Sequence, residues 1–203
     1  ASLRKKGMTV TVIEAAERIL ARVASEPLAD RLTKLHEDNG VQVLTGVGVD
    51  SINAEDGIFD SVTLTSGQKI VGDMLITGIG VFPDSKLAAE AGIETQRKDG
   101  GAILVDENMK TSEKDVFAVG DVALRRDQLL AIESVHNAQE TAAVAAATVT
   151  GSIAPTLQTP WFWSDQYDVK LQIVGVVPIS DEVVYQVARK GKRDGSVSFW
   201  SYR

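Results

Sequence analysis

The string 111–121 ends in an apolar stretch, Val116, Phe117, Ala118 and Val119, followed at once by Gly120 and Asp121. A β-type stretch that delivers an aspartate straight after a glycine sets a carboxylate at the carboxyl edge of a sheet, where α/β folds take their ligands. The glycine lets backbone approach closely, and the carboxylate accepts hydrogen bonds from sugar-type hydroxyls. A turn aspartate after a strand is the plainer reading, but it would not require the whole string.

Glu133, Ser134, Val135, His136 and Asn137 open a long helical stretch. Free backbone amides at such a start favour an anion or an electron-rich carbonyl, unless Ser134 or Asn137 caps them. His136 is one of two histidines, and a lone histidine is more often structural or exposed than catalytic. Further on, Trp161, Phe162 and Trp163 stand in consecutive positions, followed by the polar run Ser164, Asp165 and Gln166. Such a cluster suits a flat ring ligand or an interface, and equally the core of a small β-domain.

Glu14 closes an apolar β-type segment. An acidic residue at the end of the second strand of a dinucleotide fold hydrogen-bonds the adenosine ribose and repels a 2′-phosphate, favouring NADH over NADPH. The glycine loop for that role lies about 20 residues upstream, which falls before Ala1. An ordinary charged residue at a strand end would look the same. Arg18 and Arg22 follow in a loop suited to lie over an adenine or a pyrophosphate. Two glycine pairs fall short of a phosphate loop: Gly46 and Gly48 have Ser51 in the third place, and Gly78 and Gly80 have Pro83. Neither opens a helix of proper length, so neither is a dinucleotide fingerprint.

The elements that must position these residues follow from periodicity and punctuation. Residues 1–7 read as the last turns of a helix, with basic residues and then Gly7. Residues 8–13 read as a strand buried on both faces, 26–39 as an amphipathic helix with Leu28, Leu32 and Leu35 on one side, and 41–44 as the next strand. This alternation predicts βαβ units and a mostly parallel sheet. A β-meander interrupts it at 49–54, 59–65 and 68–71, with turns at 55–57 and 66–67. Residues 73–77 read as a buried strand running into Gly78. A second unit follows: a short helix at 86–91 stopped by Gly92, strands at 103–105 and 116–119, and a long helix at 133–150. That helix has an alanine-rich face (Ala142, Ala143, Ala145, Ala146, Ala147) suited to close packing. Pro155 and Pro160 mark a linker, and β-strands are expected at 170–177, 183–188 and 196–202.

The 203 residues suffice for one large domain or two small ones. Hydrophobic residues make up 44% and charged residues 24%, an ordinary globular composition. No apolar run has the length of a membrane span, and the start does not resemble a signal peptide. A net charge of −7 argues against a general nucleic-acid binder. The absence of cysteine excludes thiolate metal sites, disulfides and redox dithiols within these residues. Soluble and cytoplasmic is the default expectation. Basic residues concentrate late, at Arg189, Lys190, Lys192, Arg193 and Arg203. They suit a steering surface for an acidic partner, or simply the solvated tip of a hairpin, since 192–195 reads as a turn.

Three stretches together resemble the FAD-dependent pyridine nucleotide-disulfide oxidoreductase superfamily, and within it the NADH-dependent ferredoxin reductases of bacterial oxygenase systems. They are 12–14 with Arg18 and Arg22, 111–121, and 160–168. The third is the most specific, because it separates ferredoxin reductases from disulfide reductases. Residues 76–83 are similar to the family's strand that crosses from the NAD domain back to the FAD domain.

The resemblance implies an α/β fold: partial Rossmann-like NAD- and FAD-binding domains with a β-meander insert, then a partial C-terminal α+β reductase domain. Residues 1–81 would be the later part of the NAD domain, 82–154 the returning segment of the FAD domain, and 155–203 the start of the C-terminal domain. It implies FAD contacts at Gly120, Asp121, Ser134, Val135, Trp161 and Trp163. It implies NADH contacts at Glu14, Arg22, Gly78, Ile79, Gly80 and Glu133. The flavin carries the chemistry, and no metal site is expected.

The implied function is electron transfer from NADH through FAD to an acidic ferredoxin-type protein docking at Arg189, Lys190, Lys192 and Arg193, with neither nucleic acid nor membrane as partner. On that resemblance both glycine-rich loops of the family would precede Ala1, and the C-terminal domain would stop early. The alternatives are a non-catalytic fragment or interaction module lacking those loops, and a related NADH flavoprotein with another acceptor, of the apoptosis-inducing-factor or nitrite-reductase-associated kind.

Overall fold

A computed structural model describes residues 1–97, 100–175, 185–190 and 196–202. By contacts the chain divides into two compact units, one built on Ala1–Thr77 with Asp165–Lys170 and the C-terminal strands, the other on Gly78–Ser164 with Leu171–Gly175.

The first unit begins with a short helix, α1 (Ser2–Lys5), with basic residues in its last turn. Gly7 follows in the left-handed region at φ 82°. Strand β1 (Val10–Ile13) pairs in parallel with β2 (Val41–Leu44), Val10 opposite Val41 and Ile13 opposite Leu44. Its residues are half-buried rather than buried on both faces. Between them runs α2 (Glu26–Asp38), preceded by extended Ser25 and carrying a proline in its first turn. Proline is favoured there because the first amides have no helical acceptor. Ala29 and Leu32 are buried, which is the apolar stripe expected of a crossover helix.

The meander follows as expected. Strands β3 (Val49–Glu55), β4 (Ile58–Leu64) and β5 (Lys69–Val71) pair antiparallel in that order. The β3–β4 turn places Asp56 at φ 51° and Gly57 at φ 78°, the two left-handed residues that a tight hairpin turn demands. Val62, Leu64 and Ser61 are buried. The strand expected at 73–77 does not form. Among the described residues β1 pairs only with β2, so this stretch has no ladder to join, and Met74 and Ile76 are each 65% exposed.

The second unit opens with α3 (Lys86–Glu90), ended by Gly92 at φ 81°. Strand β6 (Thr95–Arg97) pairs antiparallel with β7 (Gly100–Val105), which pairs in parallel with β8 (Ala123–Arg125). A single 3₁₀ turn, Gly120–Val122, leads into β8. Helix α4 (Val135–Thr150) ends at Gly151, which is left-handed at φ 68°. The core joins Val105, Met109, Ala118, Ala123 and Val144, with Ala154 and Leu157 of the linker packed on it.

Two expectations fail in this unit. Residues 116–119 are not a strand; only Phe117 bridges, to Lys110. The Ala118 amide donates to Met109 O and the Thr111 amide to Val116 O. The apolar stretch is thus folded back on 109–111 and spent on the core, and the regular strand, β8, comes after Asp121 instead of before it. The alanine face of α4 is also mostly exposed: Ala142, Ala143 and Ala146 face solvent, while Thr141, Val144 and Ala147 are buried. Small side chains permit close approach but do not select the buried face.

Strands β9 (Trp161–Gln166) and β10 (Val169–Val174) form a hairpin, and β10 buries Leu171 and Ile173 in alternation. Strands β11 (Tyr185–Lys190) and β12 (Val197–Tyr202) pair antiparallel. Lys192, Arg193 and the expected turn at 192–195 lie outside the described residues, as do Arg203 and the side chains of Arg189 and Lys190.

Candidate functional site

In the second unit the candidate residues gather around the start of α4. Ser134 is extended at φ −157°, and its Oγ accepts the Asn137 amide at 3.1 Å. Ser134 is therefore the cap. Asn137 instead uses its side-chain Nδ2 to donate to Ile132 O at 2.8 Å, fixing the approach to the helix. The amides of Val135 and His136 come too early in the helix to have an acceptor within it.

The 3₁₀ turn that carries Asp121 is fastened to this helix. Gly120 stands at φ 71°, and its amide donates to Thr141 Oγ at 3.0 Å. The Thr141 hydroxyl in turn donates to Asn137 O at 2.7 Å. Thr141 is only 4% exposed, so the bond is made away from water, where leaving an amide unpaired is costly. A Cβ on Gly120 would meet Ala138 Cβ at 3.5 Å. The contact is tolerable, but the backbone angle is not one that a β-branched residue adopts readily. Asp121 itself is exposed, and its carboxylate has no hydrogen-bond partner among the described residues.

The tryptophans meet α4 from the other side of the linker. The Trp161 ring lies 5.7 Å from His136 and 5.3 Å from Trp163, tilted against both. Trp163 is 51% exposed. His136 Nε2 is 3.7 Å from Glu140 Oε1, and Glu140 Oε2 accepts the Gln158 amide at 2.7 Å. Gly120, Asp121, Ser134, Val135, Trp161 and Trp163 therefore all lie in one unit, tied to α4 directly or through a neighbour. Gly78, Ile79 and Gly80 form an irregular exposed stretch at the start of the same unit, with Ile79 95% exposed. Glu133 is exposed just before the cap.

The first unit holds Glu14, Arg18 and Arg22. Glu14 sits at the end of β1, its amide bonded to Leu44 O at 2.8 Å. Its Oε1 accepts the Ala16 amide at 2.8 Å, so one carboxylate oxygen is already engaged in a local turn. The Arg18 guanidinium donates to Ala24 O and Ala21 O at 2.8 and 3.2 Å. It closes its own loop. Arg22 is exposed and has no partner among the described residues. Deeper in this unit, the Tyr167 hydroxyl lies 3.4 Å from His36 Nδ1, and Lys5 Nζ donates to Tyr167 O at 2.7 Å. Burial and the positive amino terminus hold the His36 pKa below its ordinary value, against an opposing hydrogen bond from Gln166.

Two residues that matter here escaped the sequence reading, Thr141 and Glu140. The signal for Thr141 is its spacing: it is a hydroxyl four residues after Asn137, on the helix face that carries the cap. Among the described residues no cluster of three or more histidine or acidic groups could hold a metal ion. Among the described residues no helix is long and apolar enough to cross a membrane.

Comparison with known proteins gives two family matches. Residues 1–142 match the description pyridine nucleotide-disulphide oxidoreductase, and residues 161–203 match reductase C-terminal. Rhodocoxin reductase of Rhodococcus erythropolis is 40% identical over 185 residues, covering 89% of this chain and 42% of that protein. The crystal structure of the ferredoxin reductase for the CYP199A2 system from Rhodopseudomonas palustris superposes with a TM-score of 0.88 at 34% identity, over 100% of this chain and 50% of that one. The covalent putidaredoxin reductase–putidaredoxin complex gives a TM-score of 0.85 at 33% identity, over 96% of this chain and 46% of that one. The chain thus spans about half the length of the proteins it matches.

Proposed function

The chain belongs to the pyridine nucleotide-disulphide oxidoreductase family, and from that premise we propose that the protein passes electrons from NADH through FAD to a ferredoxin-type iron–sulfur protein. The observation that carries this reading is Asp121. Its carboxylate is left free on a turn that Gly120 and Thr141 lock to the start of α4. The relatives add support: they are reductases named for rhodocoxin and putidaredoxin, and one solved relative is joined to its putidaredoxin.

The residues fit a flavin nucleotide. A free carboxylate accepts the hydroxyls of a ribityl chain. The unpaired amides at Val135 suit the electron-rich pyrimidine edge of the flavin. Trp161 and Trp163 offer a flat apolar wall for its ring, and Ser134 holds the helix start in place. Bound FAD supplies the redox chemistry, taking a hydride and releasing single electrons, while the protein supplies position and electrostatics. For NADH, Glu14 keeps one carboxylate oxygen for ribose hydroxyls and repels a 2′-phosphate, and Arg22 offers an unpaired cation. Gly78, Ile79 and Gly80, with Glu133, serve the nicotinamide end.

In this reading residues 1–81 are the later part of an NAD-binding domain, 82–154 a segment of an FAD-binding domain and 155–203 the start of a reductase domain. The basic residues Arg189, Lys190, Lys192 and Arg193, on a chain of net charge −7, would steer an acidic ferredoxin by long-range attraction. Use of NADH fits a cytoplasmic location.

The test is anaerobic titration of the flavin-loaded protein. NADH should bleach the flavin, and an oxidised ferredoxin-type protein should restore its colour. A flavin that stays oxidised under excess NADH would sink the reading.

A further inference from the structure

Glu140 lies one turn beyond His136 on α4 and is only 23% exposed. Oε2 accepts the backbone amide of Gln158 at 2.7 Å. Oε1 lies 3.7 Å from Nε2 of His136, whose ring rests on Trp161. The bond to Gln158 therefore ties the linker back to α4 three positions before the first indole. The rest of the linker is pinned as well. Ala154 and Leu157 pack on the core, and Pro160 O accepts the Gly175 amide at 2.7 Å. Without Glu140, Gln158 would lose its side-chain acceptor and His136 its charged neighbour.

We propose that Glu140 is a positioning residue for the Trp161–Trp163 pair, acting on one side through the Gln158 amide and on the other through His136. The proposal rests on the functional reading above, in which this indole pair is the wall beside the flavin ring. The contacts of Glu140 are with the Gln158 amide and with His136. Strand β9 sets the spacing of the two indoles, and the work of Glu140 is to hold the linker that leads into that strand and the His136 ring against which Trp161 lies. A charge-assisted bond to a backbone amide is among the stronger hydrogen bonds available for that purpose.

The pair gives its own signal, because two indoles 5.3 Å apart couple as excitons and produce a paired band in far-ultraviolet circular dichroism. Trp163→Phe should abolish that band and so assign it. Glu140→Ala should reduce it to about half or less, because the network loses its anchor. Glu140→Gln should restore it, since the amide oxygen still accepts the Gln158 N–H. Thermal melts of each variant identify any that fail to fold, and the glutamine variant keeps the comparison valid if the alanine variant does. A full-strength band in a cooperatively folded Glu140→Ala protein would overturn the proposal. So would a glutamine variant as weak as the alanine one.

A second readout uses the flavin-loaded protein: the flavin midpoint potential should shift in Glu140→Ala and return in Glu140→Gln. An unshifted potential in Glu140→Ala would also overturn it. A protein that holds no flavin at all would defeat the functional reading, and the dichroism would still decide the role of Glu140.

Discussion

The end of β1 and the start of α4 both present residues chosen by the same reasoning, yet they use them differently. In the first region the candidates serve the scaffold. Glu14 caps the Ala16 amide, and Arg18 ties two carbonyls of its own loop. Of the three side chains suited to a nucleotide, Arg22 is left with no partner among the described residues. In the second region other residues do the scaffolding. Ser134 caps the helix, Thr141 holds Gly120, and Glu140 holds Gln158. Asp121 is thereby left unpaired and Trp163 half-exposed. The contrast shows that a polar residue at the right strand end is only a candidate until its bonds are counted. Where a neighbour satisfies the backbone, the candidate remains available to a ligand.

Substitutions in the two regions should have different consequences. The largest loss of stability is expected from Thr141→Val, which leaves the buried Gly120 amide unpaired at a cost of about 1–3 kcal/mol. Thr141→Ser should recover most of it, as read from denaturant midpoints. Recovery failing with serine would mean that the methyl group, not the hydroxyl, matters. Arg18→Ala should cost about 1–2 kcal/mol in the same measurement, because two bonds that close its loop disappear. A variant as stable as the parent would return Arg18 to the list of free candidates. Glu14→Ala removes a single cap of a turn and should cost roughly 0.5–1 kcal/mol.

The smallest effect is one of pH. The His36 pKa is lowered in the fold, so below about pH 6.5 the unfolded chain binds more protons than the native one. The stability contributed by neutral His36 is therefore complete above that pH and declines as pH falls through the folded pKa. The Tyr167 turn should loosen in that window. A slope in thermal midpoint between about pH 7 and about pH 5 that shrinks in His36→Gln checks this. An unchanged slope would assign it to other groups.

Much of the second region was legible in the sequence because its signals are local. A serine before a helical run is an N-cap, glycines after Glu90 and Thr150 are stops, and Gly120 before Asp121 marks a special backbone angle. Asp56 and Gly57 likewise announced their turn. Strands were harder, because a strand needs a partner as well as a composition. Residues 73–77 and 116–119 have the right side chains but no ladder, whereas Thr95–Arg97 and Ala123–Arg125 are short and plain and pair on either side of β7. The buried face of α4 was misjudged for a related reason. Alanines filled the expected face, but the packing chose Val144 and the hydroxyl of Thr141. The roles of Thr141 and Glu140 depend on residues far along the chain, Gly120 and Gln158, which no local pattern connects to them.

In the α4 region the residues that hold the scaffold and the residues left for a ligand are different ones. Asp121→Ala separates the two, with thermal midpoint and flavin affinity measured side by side. The midpoint should stay within the change expected of an exposed substitution, about 0.5 kcal/mol. Flavin affinity should fall by roughly 10- to 100-fold, the loss of a hydrogen bond to a charged group. Equal flavin affinity in both proteins, or a loss of stability as large as that of Thr141→Val, would contradict this division.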